Sequence, residues 1–401
     1  MHMTLQRSYA PDVLRVGLFF DGTGNHAANA AFDDVVPAGM DGSHASALTN
    51  VHKLYQLYGG PVGTLAIYVP GIGTDAGEAD SFLGSALGRG RTGVLARVEY
   101  AMAQLRQAMG ASGSRAEVVV DLFGFSRGAT AARHCVNQLR SLPGVRVGFV
   151  GLFDTVAAVA GARKLDLALD PAHVPQVVHL VARDEHRRNF ALAQVHLSHT
   201  EIELPGAHAD IGGGYLGQMR EQVLVWPMQA LTVVKGTKVE TTSIYRAAEQ
   251  ERQLWLARGW PAHWLTVLTP APTLVVDRTQ VPQQQVYAAL QLERDVRGEL
   301  SRVYLRVMHG LALAQGVPMR PVPATGDCAV PAELEPLCQR FLQGDYRVSP
   351  EEDLRLRLGY IHVSAHWTPP EGVRGNQPRL GSRLLYINAP AADGVRERYR
   401  C

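Results

Sequence analysis

One segment constrains the fold more than any other: a valine-rich run that ends in Gly-Phe-Ser-Arg-Gly at residues 124–128. A segment compatible with a helix, residues 129–140, follows at once. A strand, a sharp turn and a helix are the setting in which Gly-x-Ser-x-Gly presents a serine hydroxyl at the carboxyl edge of a sheet. Ser126 is therefore a candidate nucleophile, and the turn at residues 124–128 is called the elbow below. Gly124 and Gly128 are expected where a Cβ would collide with a neighbouring strand or helix. The alternative is an ordinary turn in which the serine only caps the helix.

Apolar and helical segments alternate over the first 160 residues. Apolar runs at Val13–Phe20, Thr64–Val69 and Val145–Phe153 predict strands, and residues 50–58 and 93–109 predict helices. This alternation indicates an α/β fold with a mostly parallel sheet and helices on both faces. Ligands in such sheets bind at the carboxyl ends of the strands. The candidate site residues that fall just after predicted strands are Asp21, Gly22, Thr23, Gly71, Ser126 and Asp154.

The pattern changes in the second half of the chain. We expect a core at residues 12–228, a lid or membrane-facing insertion at 229–282, and a helical and sheet-completing segment at 283–401. Residues 283–313 are predicted to form one long helix. The insertion contains Trp255, Trp260 and Trp264, which suit either a lipid–water interface or an ordinary core.

Composition excludes several classes of function. With 39 basic and 37 acidic side chains among 401 residues, the chain is not expected to bind nucleic acid. No apolar run is long enough to span a membrane, and the first residues lack the pattern of a signal peptide, so we expect synthesis in the cytoplasm. The four cysteines are expected to be free thiols, with a Cys328–Cys338 pair as the alternative. We expect no cofactor.

A serine hydroxyl needs a base to take its proton and a carboxylate to orient that base. In α/β-hydrolases these residues follow in the order Ser, Asp or Glu, His. Asp154 is the best carboxylate because it ends the predicted strand after the elbow helix. Its alternative role is a helix N-cap.

The base is harder to choose, because the chain has 15 histidines. His208 precedes three consecutive glycines, a pattern typical of a loop whose backbone approaches something closely. His362 and His366 compete with it because they come late in the chain. The histidines in a polar stretch are interpreted as solvated surface residues: His179, His186, His196 and His199.

The oxyanion of an ester hydrolase needs N–H donors. The amide of Arg127, which follows the candidate nucleophile, is the expected first donor. Gly22 and Thr23, in the loop after the first strand, are the expected source of the second. Asp21 either braces that loop or is a simple turn residue.

Four motifs taken together resemble one family. They are Phe-Phe-Asp-Gly-Thr-Gly-Asn (19–25), Gly-Phe-Ser-Arg-Gly-Ala (124–129), Phe-Asp-Thr-Val (153–156) and Pro-Gly-Ala-His-Ala-Asp-Ile-Gly-Gly-Gly-Tyr (205–215). In this order they are similar to the first family of type VI secretion lipase effectors. The resemblance covers roughly residues 14–315 and also includes Tyr-Val-Pro-Gly-Ile-Gly-Thr at 68–74.

The resemblance implies an α/β-hydrolase core with phospholipase A1 or A2 activity on membrane phospholipid. It implies Ser126 as nucleophile, Asp154 as orienting acid and His208 as base. It also implies an antibacterial toxin that reaches the periplasm of a target cell by type VI secretion, with a secretion-spike protein and a cognate immunity protein as partners.

Three other functions remain open from the sequence. A soluble carboxylesterase or acylglycerol lipase would use the same triad. A binding module could keep the fold without catalysis. Hydrolysis through a metal held by Asp21, Asp210 and histidines has no supporting ligand spacing, so no metal is expected.

Overall fold

The computed structural model describes residues 13–23, 47–72, 93–111, 117–157, 165–275, 281–367 and 388–401. Four residues of the motifs named above, Gly24, Asn25, Gly73 and Thr74, lie outside these ranges.

The described strands are β1 Val13–Phe20, β2 Thr64–Val69, β3 Glu117–Phe125, β4 Val145–Phe153, β5 Val177–Ala182, β6 Leu192–Gln194, β7 Thr200–Leu204, β8 Gln218–Val234, β9 Leu265–Leu268, β10 Thr273–Val275, β11 Gln283–Arg297 and β12 Arg398–Arg400. The described α-helices are α1 Asn50–Leu57, α2 Val94–Ala111, α3 Arg127–Leu139, α4 His208–Gly212, α5 Ser243–Ala257, α6 Leu300–Ala314, α7 Glu335–Leu342 and α8 Pro350–Gly359.

The main sheet has six strands in the order β2-β1-β3-β4-β5-β7, and every neighbouring pair is parallel. Apolar side chains of α1 and α6 pack on one face, and those of α2 and α3 pack on the other. Because both faces are covered, β3 is buried along almost its whole length. The α/β fold with a parallel sheet that the sequence predicts is confirmed.

A second, antiparallel sheet corrects one prediction. Residues 283–313 do not form one helix: β11 occupies Gln283–Arg297 and pairs with β8, and α6 begins at Leu300. The even-numbered residues of β11 from 284 to 296 are all buried, which is the period of a strand. Gly298 separates the two elements where a Cβ would lie 2.3 Å from the Leu216 carbonyl oxygen.

Strand β8 runs through residue 228, the boundary expected between the core and the insertion. The division of the chain at that residue stays a prediction. The tryptophans of the insertion pack together against the second sheet: the rings of Trp255 and Trp260 lie 4.7 Å apart, and the Arg294 guanidinium lies 4.8 Å from the Trp260 ring. A lid role for this segment likewise stays a prediction.

The C-terminal segment returns to the main domain. Strand β12 pairs in parallel with β6, and the Leu192 amide donates to the Glu397 carbonyl at 2.8 Å. This pairing carries Arg396 into the interior, where it is 5% exposed.

All four cysteines are free thiols, so the alternative Cys328–Cys338 disulfide is not formed. In the part of the chain that the structure describes, no helix has the length and apolarity needed to cross a bilayer.

Two glycines allow the elbow to pack closely, as the sequence predicts. A Cβ on Gly124 would lie 2.6 Å from the Ala129 Cα, and one on Gly128 would lie 2.2 Å from the carbonyl oxygen of Asp21. Helix α3 therefore approaches the end of β1 as closely as backbone permits, which brings the loop after β1 beside the elbow.

We expect Gly128→Ala to lower the free energy of unfolding by about 1–3 kcal/mol or more, because overpacking against backbone cannot be relieved by a side-chain rotation. Gly110→Ala is the matched control, since a Cβ at this exposed position in α2 would meet nothing within 4 Å. It should be neutral or stabilising by up to about 1 kcal/mol. Urea unfolding of both variants measures the difference, and equal stabilities would contradict the close approach.

Candidate active site

The elbow has the backbone strain expected of a nucleophile turn. Ser126 has φ 60° and ψ −127°, and Asp154 has φ 43°. Among the described residues, these two are the only non-glycine residues with positive φ. Such strain costs of order 1–3 kcal/mol per residue and tends to cluster at functional sites.

Ser126 and Asp154 stand at the ends of neighbouring strands. Phe125 of β3 is the register partner of Phe153 of β4, so the next residue on each strand is Ser126 or Asp154. The Ser126 amide donates to the Phe153 carbonyl at 3.0 Å. The two strained residues therefore lie side by side at the carboxyl edge of the sheet.

His208 reaches the same edge from the loop after β7. It begins the short helix α4, and Asp210 caps this helix by accepting from the Ala207 amide at 2.9 Å. The imidazole lies against the ring of Phe125, with centroids 4.6 Å apart, and against Phe190 at 4.9 Å. Its position next to Phe125 places it beside the residue that precedes Ser126.

Asp154 is fully buried, and each of its carboxylate oxygens accepts two hydrogen bonds. Oδ1 accepts from the Ala182 amide at 2.9 Å and from Arg396 Nη1 at 2.7 Å. Oδ2 accepts from Arg396 Nη2 at 2.9 Å and pairs with His208 Nδ1 at 2.5 Å. Burial alone would raise the pKa of Asp154, but the charge of Arg396 and the hydrogen bond with His208 hold that pKa well below its usual range.

This environment selects one tautomer of His208. An ionised carboxylate can only accept, so His208 Nδ1 carries the proton and Nε2 keeps its lone pair. Burial lowers the pKa of His208 below 6.5, although the hydrogen bond with Asp154 opposes that effect. The imidazole is therefore neutral near pH 7, the state in which it can accept a proton.

Glu185 organises a second buried cluster beside His208. It pairs with Arg187 through two side-chain contacts of 2.8 and 2.9 Å, and it accepts from the His208 amide at 3.3 Å and from Ser364 Oγ at 3.0 Å. Burial raises the pKa of Glu185, but Arg187 outweighs this and lowers it to about 2. The carboxylate stays ionised and links the loop of His208 to the chain at residue 364.

His362, the competing base, has a different partner. Its Nδ1 pairs with Asp210 Oδ1 at 2.7 Å, and its ring stacks on Tyr215 with centroids 3.6 Å apart. Asp210 is the carboxylate that caps α4. The structure therefore places His362 in the support of the helix that begins at His208. His366 contacts the Trp367 carbonyl through Nδ1 at 2.6 Å.

One histidine interpretation is wrong. His179 is not a solvated surface residue but is completely buried, because β5 lies inside the sheet. Its Nε2 accepts from the Thr155 amide at 3.0 Å, and its Nδ1 pairs with Glu201 at 3.0 Å. It thereby supports the turn that follows Asp154. His186 and His196 are exposed, and His199 is half-buried.

Asp21 braces the loop after β1 rather than serving as a simple turn residue. Its carboxylate accepts from the Gly22 amide at 2.7 Å, Thr49 Oγ1 at 2.6 Å and the Tyr68 hydroxyl at 2.5 Å. Burial raises the pKa of Asp21 to about 6 despite these hydrogen bonds. The amide of Arg127 and an amide of the Gly22–Thr23 loop stay the predicted oxyanion donors, and Asp21 holds that loop beside the elbow.

Sequence reasoning missed Arg396 and Glu185. Arg396 lies in the segment Val-Arg-Glu-Arg-Tyr-Arg, where nothing distinguishes it from Arg398 and Arg400. Glu185 lies in a charged stretch typical of a surface. Only the return of the C-terminal segment to β6 separates the buried arginine from its exposed neighbours.

We expect the His208 imidazole to titrate below pH 6.5, and Arg396→Gln to raise its pKa because removing a nearby cation favours the imidazolium. The variant should also lose on the order of 3–5 kcal/mol of stability, since Asp154 keeps a buried charge without its main partner. NMR titration of the histidine rings measures the first effect and thermal unfolding the second.

The matched control is Arg398→Gln. Arg398 lies two residues away, with its side chain 40% exposed, and pairs with Glu203 at the surface. Loss of such a pair costs at most about 1 kcal/mol and should leave the pKa of His208 unchanged. If Arg396→Gln behaves like this control, Arg396 does not govern the charge of the site.

Comparison with known proteins identifies relatives of this arrangement. The model of the catalytic domain of Tle1-like phospholipase effectors of type VI secretion matches residues 136–230, a stretch that contains Asp154 and His208 and begins after Ser126. A solved structure of the Tle1 effector bound to the VgrG spike is 26% identical, covers 97% of this chain and 94% of its own, and superposes with a TM-score of 0.74.

An uncharacterised protein from Pseudomonas aeruginosa is 18% identical over 86% of this chain and 52% of its own, with a TM-score of 0.45. No curated protein matches the chain. The family match and the full-length similarity to the Tle1 effector agree with the four sequence motifs. The chain is thus similar to the Tle1-like type VI secretion phospholipase effectors, through a catalytic-domain match at residues 136–230 and a solved effector structure 26% identical to it.

Proposed function

We propose that the protein is a serine-dependent phospholipase of the A1 or A2 type, with Ser126 as nucleophile, His208 as general base and Asp154 as the orienting acid. The observation that carries the proposal is the meeting of two strained residues with a hydrogen-bonded pair: Ser126 and Asp154 end adjacent strands, and Asp154 holds His208 at 2.5 Å. The match of residues 136–230 to the catalytic-domain model of Tle1-like phospholipase effectors supports ester hydrolysis.

The proposed reaction proceeds in two steps. Ser126 Oγ attacks the acyl carbonyl while His208 Nε2 takes its proton, and the amides of Arg127 and of the Gly22–Thr23 loop stabilise the oxyanion. His208 returns the proton to the glycerol oxygen as the C–O bond breaks, which releases the lysophospholipid and leaves an acyl-serine. Water then attacks this ester while His208 takes its proton, and His208 returns that proton to Ser126 Oγ as the acyl–Oγ bond breaks and the fatty acid leaves.

Asp154 has two roles in this scheme. Its acceptance from Nδ1 keeps the Nε2 lone pair available, and its charge stabilises the imidazolium that forms in each step. Arg396 keeps the carboxylate ionised in a buried position and fixes its orientation through both oxygens. The low pKa of His208 means that the base is neutral and ready near pH 7.

Ser126→Ala should lower fatty-acid release from phospholipid vesicles at least about a hundredfold, because the residual rate depends on binding and oxyanion stabilisation alone. Vesicles labelled separately at sn-1 and sn-2 report the position cleaved, and EDTA is present throughout. Ser141→Ala is the matched control, since Ser141 is exposed in the turn after α3 and donates only to the Gln138 carbonyl. Equal rates for both variants would exclude the serine mechanism.

The same assay separates the alternatives. Cleavage of short soluble esters through Ser126, without release from vesicles, would favour a carboxylesterase. Absence of hydrolysis of every ester would favour a binding module. For the choice of base, His208→Gln should lose far more activity than His362→Gln, because His362 contacts the helix cap rather than Asp154. The reverse order would make His362 the base.

We further propose that the protein is an antibacterial toxin, delivered through a VgrG-type spike into the periplasm of a target cell and neutralised by an immunity protein in the producer. The support is the Tle1 effector structure, which is bound to the VgrG spike. Co-purification with a VgrG spike of the same organism should succeed, and its failure at micromolar concentrations of both proteins would exclude direct spike binding.

A further inference from the structure

Arg127 is a buried cation without a counter-ion. It is the first residue of α3, follows Ser126 directly and is only 7% exposed. Among the residues that the structure describes, no carboxylate forms an ion pair with it and no side-chain hydrogen bond satisfies its guanidinium. A buried charge of this kind is costly unless an anion compensates it.

Two other buried ion pairs lie at the site. Asp154 pairs with Arg396, and Glu185 pairs with Arg187. With His208 neutral, these two carboxylates balance two guanidinium groups. The buried carboxylate of Asp21 accepts from Gly22, Thr49 and Tyr68 and forms no ion pair with Arg127. Arg127 therefore has no ion-pair partner among the described residues. Burial and the charge of Arg187 lower the pKa of Arg127 to about 10, so it remains protonated at pH 7.

The start of a helix also favours an anion beside Ser126. Helix α3 has 13 residues and its N-terminus lies at Arg127, so its dipole adds positive potential there.

We propose that Arg127 anchors a phosphodiester subsite that takes the headgroup phosphate of a glycerophospholipid while its acyl ester lies at Ser126. In such a lipid the phosphorus is five bonds from the sn-2 carbonyl carbon and six from the sn-1 carbonyl carbon. The guanidinium carbon of arginine is five bonds from its own Cα, so a residue next to the nucleophile has the matching reach. Neutral acylglycerols and simple esters lack this anion. This inference rests on the proposed phospholipase function and names the feature that selects its substrate.

The first test measures binding without any chemistry. sn-Glycero-3-phosphocholine carries the phosphodiester but no acyl ester, so its calorimetric titration into the wild-type protein reports the subsite alone. We expect binding of this ligand, weaker binding of inorganic phosphate and none of glycerol or choline. Failure of wild type to bind it, or tighter binding of inorganic phosphate, would overturn the headgroup assignment.

Variants then locate the site. Arg127→Gln should weaken binding of glycerophosphocholine at least tenfold. The affinity of Arg127→Lys should lie between those of the wild type and Arg127→Gln, because an ammonium keeps the charge but loses the planar donor pair. Arg140→Gln is the control, since Arg140 follows the other end of the same helix and is exposed. Unchanged affinity in a folded Arg127→Gln protein overturns the proposal. If Arg127→Gln does not fold, the affinity of Arg127→Lys for glycerophosphocholine and the affinities of the wild type for the ligand series test the proposal.

A kinetic comparison distinguishes this inference from the function on which it rests. Wild type is assayed on phosphatidylcholine vesicles and on diacylglycerol with the same acyl chains. The ratio of the two kcat/KM values should fall at least tenfold in Arg127→Lys. An unchanged ratio would overturn the phosphate subsite but not the proposed hydrolysis. If the wild type hydrolyses neither lipid, the proposed phospholipase function is refuted, and the calorimetric titration alone tests the anion site.

Discussion

A carboxylate removed from water must be neutralised by its surroundings, and the arrangement of this site follows from the way in which Asp154 meets that requirement. Arg396, 242 residues later in the chain, contacts both carboxylate oxygens. The pair holds the charge of Asp154 in a fully buried position, and that charge fixes the tautomer of His208. Without the arginine, the buried charge of Asp154 would have only the imidazole as a charged partner, which favours the imidazolium over the neutral base.

This ion pair also makes the C-terminal segment part of the site. Strand β12 pairs with β6, and β6 precedes β7, from which the loop of His208 emerges. The proposed acid, the proposed base and the arginine therefore belong to three segments that meet only in the folded state. A second buried pair, Glu185 with Arg187, holds the His208 loop in place.

Much of the core could be predicted because parallel strands covered on both faces are continuous apolar runs. The bounds of β1, β2 and β4 agree with those runs residue for residue. The prediction failed at β11, where a sequence rich in Gln, Ala and Leu suits a helix locally. Its long pairing with β8 outweighs that preference, and the even-numbered side chains of the strand are buried in the second sheet. His179 was misjudged for a related reason: its polar neighbours lie in loops, while the strand that carries it is interior.

The sequence by itself determined the elbow around Ser126, the place of Asp154 after the next strand and the glycine-rich setting of His208, because each depends on local backbone geometry. Tertiary structure alone decided that Asp154 pairs with His208 rather than with His362, that Asp210 takes His362, and that Arg396 neutralises the buried acid. It also left Arg127 as a buried cation without a described counter-ion. Charge compensation in the interior of a protein depends on which distant segments come into contact, and no local sequence pattern predicts those contacts.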